Sequence, residues 1–169
     1  MIKVLESGLY TSIQDKGRFG YRNMGVPVAG IMDEISAGLA NKLLNNPENT
    51  ALLEITLKGP KLQFLNKTYI SITGANFDVF LNNAKIKNNN VITINPQDIL
   101  SFGKLNTGFR AYISVFGGFE CEKVLDSFSF YKEITRKERL EKGDVLKLKE
   151  IIGTKIAGKG SLKIYKPFY

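Results

Sequence analysis

The chain has 169 residues, with 24 Lys and Arg against 16 Asp and Glu, a net charge of +8 and no histidine. Its length suits one domain with a sizeable core, and the missing histidine removes the commonest general base and the usual metal ligand. The one cysteine, Cys121, excludes an internal disulfide and a multi-cysteine metal centre, so no metal site is expected. The lysines are scattered and richer after Lys123, the pattern of a solvated basic surface. No basic stripe with interleaved aromatics marks a nucleic-acid module, and no run of about 18 apolar residues marks a membrane helix. The N-terminal MIKVLESGLY lacks a basic region followed by an apolar one, so no signal peptide is expected and the location is read as cytoplasmic.

In chain order, residues 2–5 read as a first strand, with Ser7-Gly8 as its turn, and residues 11–13 as a second. Residues 14–33, QDKGRFGYRNMGVPVAGIMD, follow with four glycines, Arg18, Arg22 and an aspartate near each end, Asp15 and Asp33. A loop this long inside a compact domain is usually functional, and Phe19, Tyr21, Met24, Val26, Ile31 and Met32 anchor it against disorder. We read it as an ordered binding loop in which Arg18 contributes little to the core. The alternative is an Ω-loop that packs only on itself, with Asp15 and Arg18 as an internal pair.

Asp33 then caps a helix over residues 34–44. Ile35, Leu39 and Leu43 recur at helical spacing, widened by Ala40 and Leu44, and are expected to face the core. Asn41 is a poor helix former, so either a specific hydrogen bond or simple exposure accounts for it. From Ala51 the chain alternates as strands. In residues 51–57, Leu53, Ile55 and Leu57 share one face, while Glu54 shares the other with Leu52 and Thr56. Further strands are expected at 61–65, 69–73, 78–81, 91–94, 99–102, 110–116 and 145–148. Gly74-Ala75-Asn76 reads as a break, Asn82-Asn83 as a hairpin turn, 103–108 as a loop, and 129–139 as either a charged helix or a loop. Many short strands and one helix argue for an all-β sandwich or barrel.

Two motifs carry little. Gly153 to Lys159 imitates a P-loop, but Gly160 stands where a magnesium-binding hydroxyl belongs and no helix follows. Carboxylates on either side of Cys121 disfavour a thiolate nucleophile.

The 14–33 string resembles the signature of the biotin-dependent carboxyltransferase-like family. That family includes allophanate hydrolase subunit 2, the antagonist of the sporulation-kinase inhibitor, and the C subunit of the ATP-dependent 5-oxoprolinase. The resemblance continues at Ala40-Asn41, at Asn45-Asn46 and through ALLEITLKGP (51–60). It then takes in Thr73-Gly74-Ala75, Phe102-Gly103, Gly108-Phe109-Arg110-Ala111-Tyr112 and Val115-Phe116-Gly117-Gly118. It implies a cyclophilin-like β-barrel with one principal helix. The whole chain, 1–169, would be a single domain that forms the first of two related lobes. Where the family carries a Gly-Ser-Arg-Ser-Thr-Tyr-like run, this chain has Phe128 in place of the arginine.

The same resemblance implies one subunit of an ATP-dependent complex of the 5-oxoprolinase or allophanate-hydrolase type, acting on a cyclic amide or a urea-derived substrate. Asp33 and Glu54 would be catalytic, with Arg18, Arg22 and Asn41 binding substrate in one cleft. No cofactor would bind this chain directly, and ATP would enter through partner subunits. Partners would be the other oxoprolinase or allophanate-hydrolase subunits, together with a second-lobe chain or a second copy. The isolated chain is expected to be inactive. Two other readings stay open: a non-catalytic regulatory module that binds protein, and a carboxyltransferase component using biotin carried on another chain.

Overall fold

The structure, a computed structural model, describes residues 1–149. The P-loop-like stretch and the C-terminal tail lie outside the described residues. Strands β1 (Ile2–Glu6) and β2 (Tyr10–Gln14) come first, then a 3-10 turn (Arg22–Met24) and helix α1 (Glu34–Leu43). Strands β3 (Leu52–Thr56), β4 (Lys61–Phe64), β5 (Thr68–Leu81), β6 (Ala84–Ile86) and β7 (Val91–Ile94) follow. Strands β8 (Ile99–Val115), β9 (Phe119–Glu120) and β10 (Val145–Leu148) are the last in the described residues.

Every pairing is antiparallel, and the order β2-β3-β8-β4-β1-β10-β9 curls into a half-barrel with β5, β6 and β7 joined through β8. This is the expected cyclophilin-like, mainly β fold with one α-helix among the described residues. Its concave side holds the core, where Ile13, Leu53, Ile55, Phe64, Ile72 and Ile113 are all but inaccessible. The alternation is thus kept along β3, β5 and β8.

Helix α1 lies against the convex side of β5 and β8, so residues there are buried as well. Polar side chains on that side have found helix carbonyls. Ser71 Oγ donates to Ala40 O at 2.7 Å and Thr73 Oγ1 donates to Ser36 O at 2.6 Å. A buried hydroxyl with such a partner costs little.

The structure corrects three expectations and decides a fourth. The helix buries Ala37, Ala40, Asn41 and Leu44, so of the expected face the widening positions Ala40 and Leu44 are in the core, while Leu39 and Leu43 are half-buried and Ile35 is 78% exposed. Small residues face the sheet because the helix sits close enough to hydrogen-bond it. Strand β5 runs straight through Gly74-Ala75-Asn76, and its register against β8 shifts there as a bulge. Gly74 makes this possible, with φ +84 and a position at which a Cβ would stand 2.6 Å from Arg110 O. Residues 103–108 belong to β8, held by pairs such as Asn76↔Thr107 and Phe77↔Leu105. Of the two readings held for residues 129–139, the loop is the one observed, as a run of turns. The segment straps the open edge of β2: Phe130 N–H donates to Ile13 O at 2.8 Å and Leu140 N–H donates to Thr11 O at 2.7 Å.

Candidate functional site

The 14–33 segment folds back on itself as an arm. Arg18 N–H donates to Val28 O at 2.8 Å, Ile31 N–H donates to Asp15 O at 2.9 Å, and the 3-10 turn forms the tip. At its root the Asp15 carboxylate is buried and accepts four hydrogen bonds. They come from Ser127 Oγ (2.5 Å), Ser129 Oγ (2.6 Å), Phe128 N (2.8 Å) and Gly17 N (2.9 Å). Burial by itself pushes this carboxyl up, but the hydrogen bonds outweigh it and hold Asp15 below the usual carboxylate range.

Arg18 lies in the same cluster, fully buried, with Nη2 donating to Ser129 O at 2.6 Å. Its Nη1 is enclosed without a partner among the described residues. Burial lowers its pKa, and nearby Asp15 opposes that shift. Arg18 is therefore part of the interior, contrary to the expectation that it adds little to the core.

Glu54 anchors a second cluster on the convex side beside the start of α1. Its Oε1 meets Arg110 Nη1 at 2.6 Å, and its Oε2 accepts from Met32 N at 2.8 Å and from Tyr112 Oη at 3.0 Å. Arg110 Nη1 also donates to Thr56 Oγ1 at 2.8 Å. Tyr112 Oη in turn accepts from Asp33 N at 2.8 Å, so one buried carboxylate fixes where the arm enters the helix. Burial first, then the Glu54 charge, raises the Tyr112 pKa and keeps the phenol a donor.

Asp33 caps α1. Its carboxylate accepts from Ser36 N at 3.0 Å and Ser36 Oγ at 2.5 Å, while the residue itself is exposed. Arg22 is also exposed, at the tip of the arm, beside a surface hollow shared with Phe19, Asn23 and Val28.

Asn41 forms a third cluster. It is buried, donates from Nδ2 to Thr50 O at 2.9 Å and Glu48 O at 3.2 Å, and accepts from Ser114 Oγ at 2.6 Å. Of the two explanations held for it, the specific hydrogen bond is the one observed. Asn46 extends the cluster by donating to Val115 O at 2.8 Å and accepting from Gly117 N at 2.9 Å.

Of the five residues singled out from the sequence, Glu54 and Asp33 are therefore drawn together, through Tyr112 and the backbone of Met32-Asp33. Arg18 is bound instead to the 124–130 segment, Asn41 to the far end of the helix, and Arg22 to neither. Sequence reasoning missed the roles of Asp15, Arg110 and Tyr112. Arg110 and Tyr112 alternate with the core positions of β8 on the Glu54 side, and that cross-strand register was the available signal.

Cys121 is pushed up to about 11, mainly by burial, with Asp15 adding to the shift and Lys149 opposing it. Flanking carboxylates were expected to raise this thiol, but burial is the leading cause and the adjacent glutamates are not among those found. No helix among the described residues is long and apolar enough to cross a membrane.

Comparison with known proteins places this geometry in context. A family model described as "Carboxyltransferase domain, subdomain A and B" matches residues 24–163. Urea amidolyase of Lachancea kluyveri is 40% identical over 130 residues, which is 76% of this chain and 7% of that protein. The C subunit of 5-oxoprolinase from Escherichia coli (strain K12) is 30% identical over 129 residues, 76% of this chain and 42% of that one. The crystal structure of TTHA0988 superposes with a TM-score of 0.89 at 29% identity, covering 98% of this chain and 62% of that chain. The chain thus spans less than half the length of both named relatives.

Proposed function

Because this chain belongs to the family described as the carboxyltransferase domain, subdomains A and B, we propose that it is the first lobe of a subunit in an ATP-dependent complex of the 5-oxoprolinase or allophanate-hydrolase type. The substrate class would be a cyclic amide or a urea derivative, with ATP handled by partner subunits. The observation that carries this reading is the buried Glu54 carboxylate, which locks Arg110, Tyr112 and the arm's last turn around the N-terminus of α1. A helix N-terminus favours developing negative charge, as on an amide carbonyl under attack. Asp33 supplies an exposed carboxylate there to orient water, and Glu54 holds the backbone in place. Arg22 would meet an anionic group at the arm's tip, with Arg18 and Asn41 keeping the arm and helix in register.

Further support comes from the surface. Phe19, Met24, Met32 and Ile35 are 66%, 70%, 70% and 78% exposed, all on the arm and first helical turn. Large apolar side chains concentrated in one stretch suit contact with another lobe or subunit.

Two observations favour the second reading, a non-catalytic module that binds protein. Arg18, Asn41 and Glu54 are all engaged inside the fold, and Phe128 replaces an arginine, with Lys149 Nζ 5.2 Å from its ring.

Reconstitution separates the two. With the companion oxoprolinase subunits, ATP and 5-oxoproline, we expect turnover only in the full mixture. Asp33→Asn should lower kcat at least tenfold with a cap loss of about 1 kcal/mol or less. Normal binding of the companion subunits with no turnover on any lactam or urea substrate would favour the regulatory module.

A further inference from the structure

A second exposed face lies at the rim of the sheet, where β2, β3 and β8 end together. The register Tyr10↔Thr56↔Arg110 brings Leu9, Leu57 and Phe109 into the next cross-strand row. Backbone bonds fix that row. Leu57 N–H donates to Phe109 O at 3.2 Å and Leu9 N–H donates to Lys58 O at 3.0 Å. Yet the three side chains are 53%, 40% and 53% exposed, although each could have been polar at no cost to the core.

Leu57 adopts φ +58, the left-handed region that a leucine enters only under strain. The tight turn that Lys58 N–H closes on Thr56 O at 2.7 Å accounts for the backbone there, but not for an apolar residue that is 40% exposed. Nothing in the fold requires an apolar side chain at that point.

Arg110 belongs to the Glu54 side of β8, but at the rim its guanidinium comes beside Phe109. Its Nη1 is spent on Glu54 and Thr56, which fixes the guanidinium, and the group lies 5.8 Å from the Phe109 ring centre. Among the described residues only Nη1 is engaged, and the side chain is 24% exposed. Lys58 sits exposed in the adjacent turn.

We infer that this rim row, Leu9, Leu57, Phe109 and Arg110, is a docking surface for a segment of a partner protein that presents a carboxylate beside an apolar side chain. The apolar row would take the side chain and the open edge of Arg110 the carboxylate, as a charge-assisted hydrogen bond. Charge complementarity selects this occupant over a second copy of the chain. A symmetric contact would set Arg110 and Lys58 of one copy against cationic groups of another, in a protein of net charge +8. The inference does not depend on the chemistry proposed at Asp33.

The test is selection from a displayed random-peptide library on the full chain, followed by titration of the enriched peptides made synthetically. We expect enriched peptides to carry Asp or Glu next to Leu, Ile, Val or Phe, and to bind at least tenfold more weakly when the acid is replaced by its amide. Leu57→Gly is the decisive variant. Glycine accepts φ +58 without strain, so the fold should melt no lower than wild type while peptide binding falls at least tenfold. Phe109→Ser should weaken binding in the same way. No enrichment, enriched peptides without an acidic residue, or binding unmoved by Leu57→Gly would each overturn the proposal. Failure here leaves the reconstitution result untouched, since that assay reads turnover.

Discussion

Asp15 shows how one buried charge can organise two distant segments. Its carboxylate gathers Ser127, Phe128 and Ser129 onto the root of the arm, and Arg18 completes the cluster through Ser129 O. A buried carboxylate deprived of its charge leaves hydroxyl and amide donors without an adequate acceptor. Asp15→Asn is therefore expected to cost about 3 kcal/mol of stability in urea unfolding. The pH dependence follows from the sign of the shift. The folded carboxyl lies below its ordinary value, so its contribution is complete above the unfolded pKa of about 4 and fades as pH falls through the folded one. The wild-type advantage over Asp15→Asn should be constant above about pH 5 and shrink in more acidic solution. A difference that does not vary with pH would show that the asparagine fails for steric reasons alone.

At the scale of elements, helix α1 illustrates packing that prevails over periodicity. The stripe Ile35-Leu39-Leu43 has the right spacing for a core face, but the sheet receives Ala37, Ala40 and Asn41. Close approach lets Ser71 and Thr73 reach helix carbonyls, and large side chains would hold the helix off. Leu44→Ala should consequently cost about 2–5 kcal/mol, as for other buried leucines. Ile35→Ser should stay within about 0.5 kcal/mol, as expected of an exposed position. Thermal melts of the two variants decide the matter, and equal losses would return Ile35 to the core. The 129–140 strap makes the same point in β-structure. Its turns close the edge of β2 by two backbone hydrogen bonds, a duty that its charged sequence does not announce.

For the molecule as a whole, the exposed apolar side chains of the arm predict behaviour in solution. The chain alone should bind a hydrophobic dye, and Met32→Gln with Ile35→Gln should reduce the signal without lowering the melting temperature. Addition of the companion subunits should quench it, and dye binding that persists in the complex would place the interface elsewhere. The sequence by itself determined the mainly β class, the Asp33 cap, the hairpin at Asn82-Asn83 and most strand positions, because each follows from a local period or a turn residue. It also determined the family, through motifs kept in order from the arm to Gly118. Only the tertiary structure decided that Arg18 is interior, that Asn41 braces the helix against Ser114, and that Glu54 is joined to Arg110, Tyr112 and Met32. Those partners lie 22 to 111 positions away in the chain. A hydrogen bond or ion pair between them depends on strand register and helix placement, which no local pattern of residues encodes.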